Sequence, residues 1–328
     1  KRIEGYRHFI NKIWNAARFA LMNLPEEIRQ KDFSALNKLD HVWILHRLEN
    51  IKAEVKSAVQ EYRFNDMAQI LYEFFWHEFC DWYLEMIKPD LYGQDLETKE
   101  QAQFCLYTVL SEVLVLLHPA IPFVTQEIWQ YLPGVENKNL AREPYPQTRP
   151  HCLNAWIEER MLFLQNVVVS VRNIRSELNI NPAVKLDLML RVDGKDQNFL
   201  RENKATLVNL ARLGQVYLDP NIQAPRASAT GVVQGYELYV PLEGAINFED
   251  ELNRLDKELK KLNKELEGLN KKLGNENFIN KAPAEVVARE RAKNEELAQK
   301  MGKLENLQAR LREIFAEDAL EKEVRSKG

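Results

Sequence analysis

The residues best equipped for chemistry in this chain are Lys12, Asn15, Arg18 and Phe19: two cations, an amide and a large ring within eight positions. At about 100° per residue they fall on one side of a helix over residues 5–24, away from the stripe Tyr6, Phe9, Ile13, Ala17, Ala20 and Leu24. A flat ring beside Lys and Arg suits an unpaired nucleobase. The ring stacks on any base while the charged donors take phosphate oxygens or a base edge. From Lys1 to Asn23 there are five Lys or Arg and one acid, so the local field favours an anion. The competing reading is that Phe19 packs against a neighbouring helix and the charges are ordinary surface.

Other chemistry is not evident. No paired carboxylates, Ser/His/Asp set or Gly-rich phosphate loop stands out, so no catalytic residue is assigned. His77 and Cys80 can share a helix face, but two residues do not make a zinc site, and no metal ligands are assigned. The net charge of -4 argues against a globally basic coat, leaving RNA contacts to local patches. Three widely spaced cysteines, Cys80, Cys105 and Cys152, suit a reduced cytoplasmic protein. No membrane span is expected. The opening Lys1-Arg2-Ile3 carries no initiator Met, so the numbering is read as that of a piece of a longer protein.

The elements that must position these residues are mostly helical. Leu39 to Arg63, Phe64 to Met86, Glu100 to Leu117 and Val124 to Tyr131 read as helices. The aromatic run Phe74, Phe75, Trp76, Phe79, Trp82 and Tyr83 is assigned to bundle core. Pro119 and Pro122 stop one helix and permit the next. Glu158 to Leu178 is helical, Val184 to Val192 alternates as a half-buried strand, Asn198 to Leu210 is helical and Val216 to Leu218 a short strand. Asp219 to Gly231 reads as loop, and Val232 to Val240 as a hairpin around Gln234-Gly235. Within this part Arg172 and Arg175 are either solvated surface or further RNA contacts.

Leu252, Leu255, Leu259, Leu262, Leu266, Leu269 and Leu273 keep a strict 3–4 spacing, and Val287, Leu297, Met301, Leu304, Leu311 and Ile314 answer them. The break at Gly274-Asn275-Glu276-Asn277, with Pro283 beyond it, makes this an antiparallel hairpin within one chain. Asp250 to Glu313 holds 15 Lys or Arg and 13 Asp or Glu, a mixed solvated surface. The expected fold is mainly α: a helical bundle at 1–148, a small α+β module at 149–248, a coiled-coil arm at 249–316 and a tail at 317–328.

Two runs carry a resemblance. Asn11-Lys12-Ile13-Trp14-Asn15-Ala16-Ala17-Arg18-Phe19 and Leu116-Leu117-His118-Pro119-Ala120-Ile121-Pro122-Phe123-Val124-Thr125-Gln126-Glu127-Ile128-Trp129 resemble the anticodon-binding bundle of class Ia aminoacyl-tRNA synthetases. Tyr239-Val240-Pro241-Leu242-Glu243-Gly244 leading into the leucine ladder, with Asn275-Glu276-Asn277-Phe278 and Lys281-Ala282-Pro283, is similar to the C-terminal end of the bacterial valyl-tRNA synthetases.

The resemblance implies anticodon recognition by Lys12, Asn15, Arg18 and Phe19. It also implies an arm touching the outer corner of tRNA, with Lys257, Lys260, Lys261, Lys264, Arg289, Arg291 and Lys293 as candidates. It implies a parent enzyme that joins valine to its tRNA using ATP. The family's His-x-Gly-His and Lys-Met-Ser-Lys-Ser signatures do not occur in these residues, so no cofactor and no activity are expected of them alone. Valine tRNA is the expected partner and the chain is expected to be a monomer. An isoleucyl or leucyl relative remains a neighbouring reading. So does a non-enzymatic coiled-coil module for nucleic-acid binding or tethering, since similar hairpins end some translation-linked ATP-binding-cassette ATPases.

Overall fold

Trp43, Ile44, Leu48, Ile51 and Val55 recur at helical spacing, and α2 (Leu39–Gln60) buries all five. Each such side chain withdrawn from water contributes about 1.5–3 kcal/mol. The computed structural model describes residues 2–135, 138–225, 227–244, 247–275 and 283–327. By internal contacts they form two units, Lys1–Gln165 and Asn166–Gly328.

In the first unit α1 (Arg2–Asn23) precedes α2. A continuous helical stretch follows: α3 (Phe64–Glu73), a π-helical segment (Phe74–Tyr83) and α4 (Leu84–Tyr92). Phe74, Phe75, Phe79 and Tyr83 are core as expected, whereas Trp76 and Trp82 are only half-buried. The bundle is completed by α5 (Leu96–Leu117) and α6 (Pro122–Trp129). Helix α5 is long and apolar enough to cross a membrane, but its most apolar stretch is largely buried as bundle core. Pro122 opens α6, and His118 Nδ1 lies 2.8 Å from Thr125 Oγ1 across the intervening turn.

A buried square of charge fastens the segment after α6. Lys52 is fully buried, its ammonium 2.7 Å from Glu49, 2.6 Å from Glu112 and 3.0 Å from the Gln147 carbonyl. Arg149 reaches the same two carboxylates at 2.8 Å each and stacks 4.4 Å over Phe33. All three protons of the ammonium are used, the condition under which buried charge is tolerated.

Helix α7 spans Ala155–Glu177. The sheet of the second unit has the order β2-β1-β4-β3. Strand β1 (Leu186–Leu190) turns Leu186, Leu188 and Leu190 inward, as its alternation requires. Helices α8 (Gly194–Glu202) and α9 (Lys204–Ala211) replace the single expected helix and form the crossover to the parallel strand β2 (Leu213–Leu218). Strands β3 (Ser228–Val233) and β4 (Tyr236–Pro241) form the hairpin. Gln234 and Gly235 have φ of 49° and 87°, the left-handed pair a two-residue I′ turn requires. Ser228–Gly231, read from sequence as loop, belongs to β3, because its partner β4 supplies the ladder that local composition did not announce.

The arm consists of α10 (Phe248–Leu273) and α11 (Ala284–Lys327). Asn247 caps α10 by accepting from the Asp250 N–H, with Glu249, Asp250 and Glu251 in its positive first turn. Antiparallel pairing shows in the side-chain partners. Lys272 meets Glu290 at 2.7 Å, Asn270 meets Asn294 at 2.7 Å, and Lys300 meets Glu258 at 3.0 Å. Leu255, Leu262, Leu266 and Leu269 are buried against this partner, with Leu311 and Ile314 opposite. Glu276, Asn277, Phe278, Lys281 and Ala282 of the expected turn lie outside the described residues. Helix α11 continues beyond Ile314 to Lys327.

Candidate nucleic-acid interface

The bundle positions α1 by burying Ile13, Ala16, Ala17 and Ala20, all at or below 6% exposure. Tyr6, expected on this stripe, is 67% exposed: it lies near the start of the helix, beyond the reach of the bundle core. Burying small alanines brings α1 close to its neighbours and leaves the opposite face to solvent. Asn15 and Arg18 are exposed there, and neither has a polar partner among the described residues. Phe19 is half-buried, with the Lys88 ammonium 5.8 Å from its ring centroid.

Lys12 has company that its sequence neighbourhood did not reveal. Its Nζ lies 2.7 Å from Asp81 Oδ1 and 5.1 Å from the Trp76 ring centroid, both on the π-helical segment. His77 Nδ1 lies 3.3 Å from the other carboxylate oxygen, and its Nε2 is 3.7 Å from Glu73. Trp76 is in turn stacked with Tyr72 at 5.5 Å, with Phe9 tilted against Tyr72 at 4.9 Å. Ammonium, carboxylate and imidazole therefore meet above an aromatic floor. A donor beside an acceptor is what a base edge presents, whereas a bare phosphate would be repelled by Asp81. Cys80, on the same segment, points inward, and burial pushes its thiol up to about 12.

Arg18 also edges an apolar cleft of about 290 Å³ lined by Trp14, Leu21, Met22, Ile128 and Tyr131. Trp14, Met22 and Tyr131 are 43%, 76% and 61% exposed, so the face carrying Arg18 is aromatic and open. The guanidinium and the rings on either side provide hydrogen-bond donors and stacking surfaces together.

Arg172 and Arg175 are committed elsewhere. Arg175 is 9% exposed and donates to the carbonyls of Asn181, Val184, Ala211 and Arg212, while Arg172 donates to the Leu210 carbonyl at 2.9 Å. Burial holds the Arg175 guanidinium below its ordinary value, yet every bond it makes requires the charged donor. These side chains knit α7 to the loops around the sheet. On the arm, Lys257, Lys260, Lys261 and Lys264 are exposed, as are Arg289, Arg291 and Lys293.

Comparison with known proteins finds two families along the chain. Residues 41–190 match the family described as the anticodon-binding domain of tRNA ligase, and residues 247–314 match the valyl tRNA synthetase tRNA binding arm. The first match begins after α1. A valine–tRNA ligase of Nitratidesulfovibrio vulgaris is 51% identical over 96% of this chain and 36% of its own length. The enzymes of Geobacillus kaustophilus and Desulfotalea psychrophila are 40% and 39% identical over 96% and 95% of the chain, and 36% of each. The chain thus spans little more than a third of the relatives it matches.

Proposed function

This chain belongs to the valyl-tRNA synthetase family, and we propose that it is the tRNA-recognition part of a valine–tRNA ligase. The observation that carries the reading is the α1 face: an open guanidinium, an open amide, a half-buried ring and a carboxylate-held ammonium on one exposed surface. Phe19 stacks on an anticodon base, Arg18 and Lys12 hydrogen-bond base edges or phosphates, and Asn15 adds a weaker contact. Asp81 joins them as an acceptor that the sequence did not identify. Arg172 and Arg175 drop out of the contact set because their donors are occupied by carbonyls.

The bundle and the arm divide the work: the bundle reads the anticodon, and the arm grips the outer corner of the folded RNA. The parent enzyme, a cytoplasmic monomer, joins valine to valine tRNA with ATP as co-substrate, and that chemistry belongs to residues other than these 328. Competition binding tests the reading. Valine tRNA should displace a labelled valine tRNA from this chain at least tenfold more effectively than tRNAs for other amino acids, within the usual specificity range. Equal competition by all of them would reject anticodon reading.

A further inference from the structure

The face that carries Lys12 and Asp81 also holds a titratable ring with no assigned contact to RNA. His77 stands on the π-helical segment with its side chain 52% exposed, four positions after Glu73 and four before Asp81. A carboxylate only accepts, so the neutral ring keeps its proton on Nδ1 and donates to Asp81 Oδ2 at 3.3 Å. Its Nε2 then turns a lone pair toward Glu73, 3.7 Å away, and gains nothing there. Once both nitrogens carry protons, each N–H faces a carboxylate.

That proton changes the charge of the whole cluster. Asp81 accepts from Lys12 through Oδ1 and from His77 through Oδ2. Two carboxylates and one ammonium leave a single net negative charge while the ring is neutral, and none when it is cationic. The other charges nearby are spent or turned away. Glu78 is bonded to Arg47 through both oxygens, Lys88 of α4 is paired with Glu85, and Cys80 is buried. On α1 His8 lies exposed one turn before Lys12, and on α3 the Tyr72 ring stands edge-on to the imidazole at 6.0 Å.

No other histidine among the described residues has this setting. His41 and His46 are buried, and His46 Nδ1 is committed to accepting the Asn154 N–H at 2.8 Å. His118 is tied to Thr125, and neither His8 nor His151 has an ion-pair partner. Histidine is the side chain whose charge ordinarily changes between about pH 5 and 8, so an open ring between two carboxylates is a contact that a proton can operate.

We infer that His77 sets the selectivity of the Lys12–Asp81 face through its protonation state. With the ring neutral the cluster stays negative, repels phosphate, and is satisfied only by a base edge that presents a donor beside an acceptor. With the ring cationic the charge of Asp81 is offset from both sides, Lys12 is freer to take a phosphate, and RNA binds with less regard to sequence. His77 is thus a positioning residue, acting through Asp81. This inference rests on the anticodon reading and adds the group that regulates it.

The test measures the affinity of the whole chain, at constant salt, for a valine tRNA transcript and for the same transcript with its anticodon bases replaced, at about pH 5.5 and about pH 7.5, within the range where histidine changes charge. In the parent the replaced transcript should bind about two- to fivefold more tightly at the lower pH, the scale of a partly exposed ion pair, and the ratio between the two transcripts should shrink accordingly. His77→Gln should keep one ratio at both pH values. His77→Arg should bind the replaced transcript at the higher pH about two- to fivefold more tightly than the parent does. Thermal unfolding establishes that each variant keeps the parent fold. The NMR signal of the His77 ring, assigned by its absence from His77→Gln, should titrate with the same midpoint as the affinity. A parent ratio independent of pH, a pH dependence that survives in His77→Gln, or midpoints that differ overturns the inference while leaving anticodon reading standing. Equal affinity of the parent for the two transcripts at both pH values overturns both.

Discussion

The ammonium of Lys12 and the carboxylate of Asp81, 69 positions apart in the chain, meet at 2.7 Å on the exposed side of the bundle. The two side chains are 32% and 40% exposed, so the pair is adjustable rather than locked. Asp81 both restrains Lys12 and lowers the attraction of this face for bare phosphate. In the proposed anticodon reading, selectivity follows from that balance, since a base edge can satisfy both partners and a phosphate only one.

Removing the restraint should loosen that selectivity. Asp81→Asn should tighten binding to tRNAs of any anticodon about two- to fivefold, the scale of a partly exposed ion pair, and narrow the preference for valine tRNA. Filter binding with matched and mismatched tRNAs checks this. Unchanged affinities for both would mean that Asp81 is only surface.

Phe19→Ala should weaken anticodon-dependent binding by about 1–3 kcal/mol, the worth of one base stack. The ring is half-buried, so thermal unfolding should remain cooperative and near the parent temperature. A large fall in melting temperature would assign Phe19 to the core instead.

Lys52→Met should destabilise the bundle by about 3–5 kcal/mol, because Glu49 and Glu112 lose a fully buried partner. Urea unfolding measures it. A neutral result would mean that Arg149 alone satisfies both carboxylates.

Much of this was legible in the sequence, and the limits have physical causes. The leucine ladder of α10 and the strand alternation of Leu186, Leu188 and Leu190 are periodic, so local spacing identified both. Strand β3 was not, because Ser228 to Gly231 becomes a strand only through pairing with β4. The α1 face was legible as a wheel, but Trp76, His77 and Asp81 reach it from another helix, through long-range packing no window contains. Arg175 read as possible surface because its four carbonyl acceptors come from the loop before β1 and the end of α9, which no local window brings together. The charges on Lys52 and Arg149 gave no sign of burial for the same reason.

Arg175→Met should destabilise the second unit by about 1.5–3 kcal/mol, the range for hydrogen bonds from a charged group. Hydrogen exchange in β1 and β2 should speed up, while tRNA affinity at temperatures where the unit stays folded should be unchanged. Selective loss of tRNA binding without destabilisation would return Arg175 to the contact set.

The arm should be acid-sensitive. A hydrogen bond from Lys300 holds the Glu258 carboxyl below its ordinary value against the opposing effect of burial, and one from Lys272 does the same for Glu290. Depressed carboxylates stabilise the folded arm fully above their unfolded values of about 4.3, and the contribution is lost as pH falls through the lower folded values. Helicity of the arm should decline from about pH 4.5 downward. Constant helicity in Glu258→Gln and the parent alike would show that these pairs contribute nothing.

The most direct measurement is the affinity of the whole chain, at one stated salt concentration, for a valine tRNA transcript and for the same transcript with its anticodon bases replaced. Binding at least tenfold tighter to the intact anticodon is expected if the α1 face reads bases, each mismatch costing about 1–3 kcal/mol as in other nucleic-acid sites. Equal affinity for the two would contradict base reading by the bundle and leave only a backbone-binding arm.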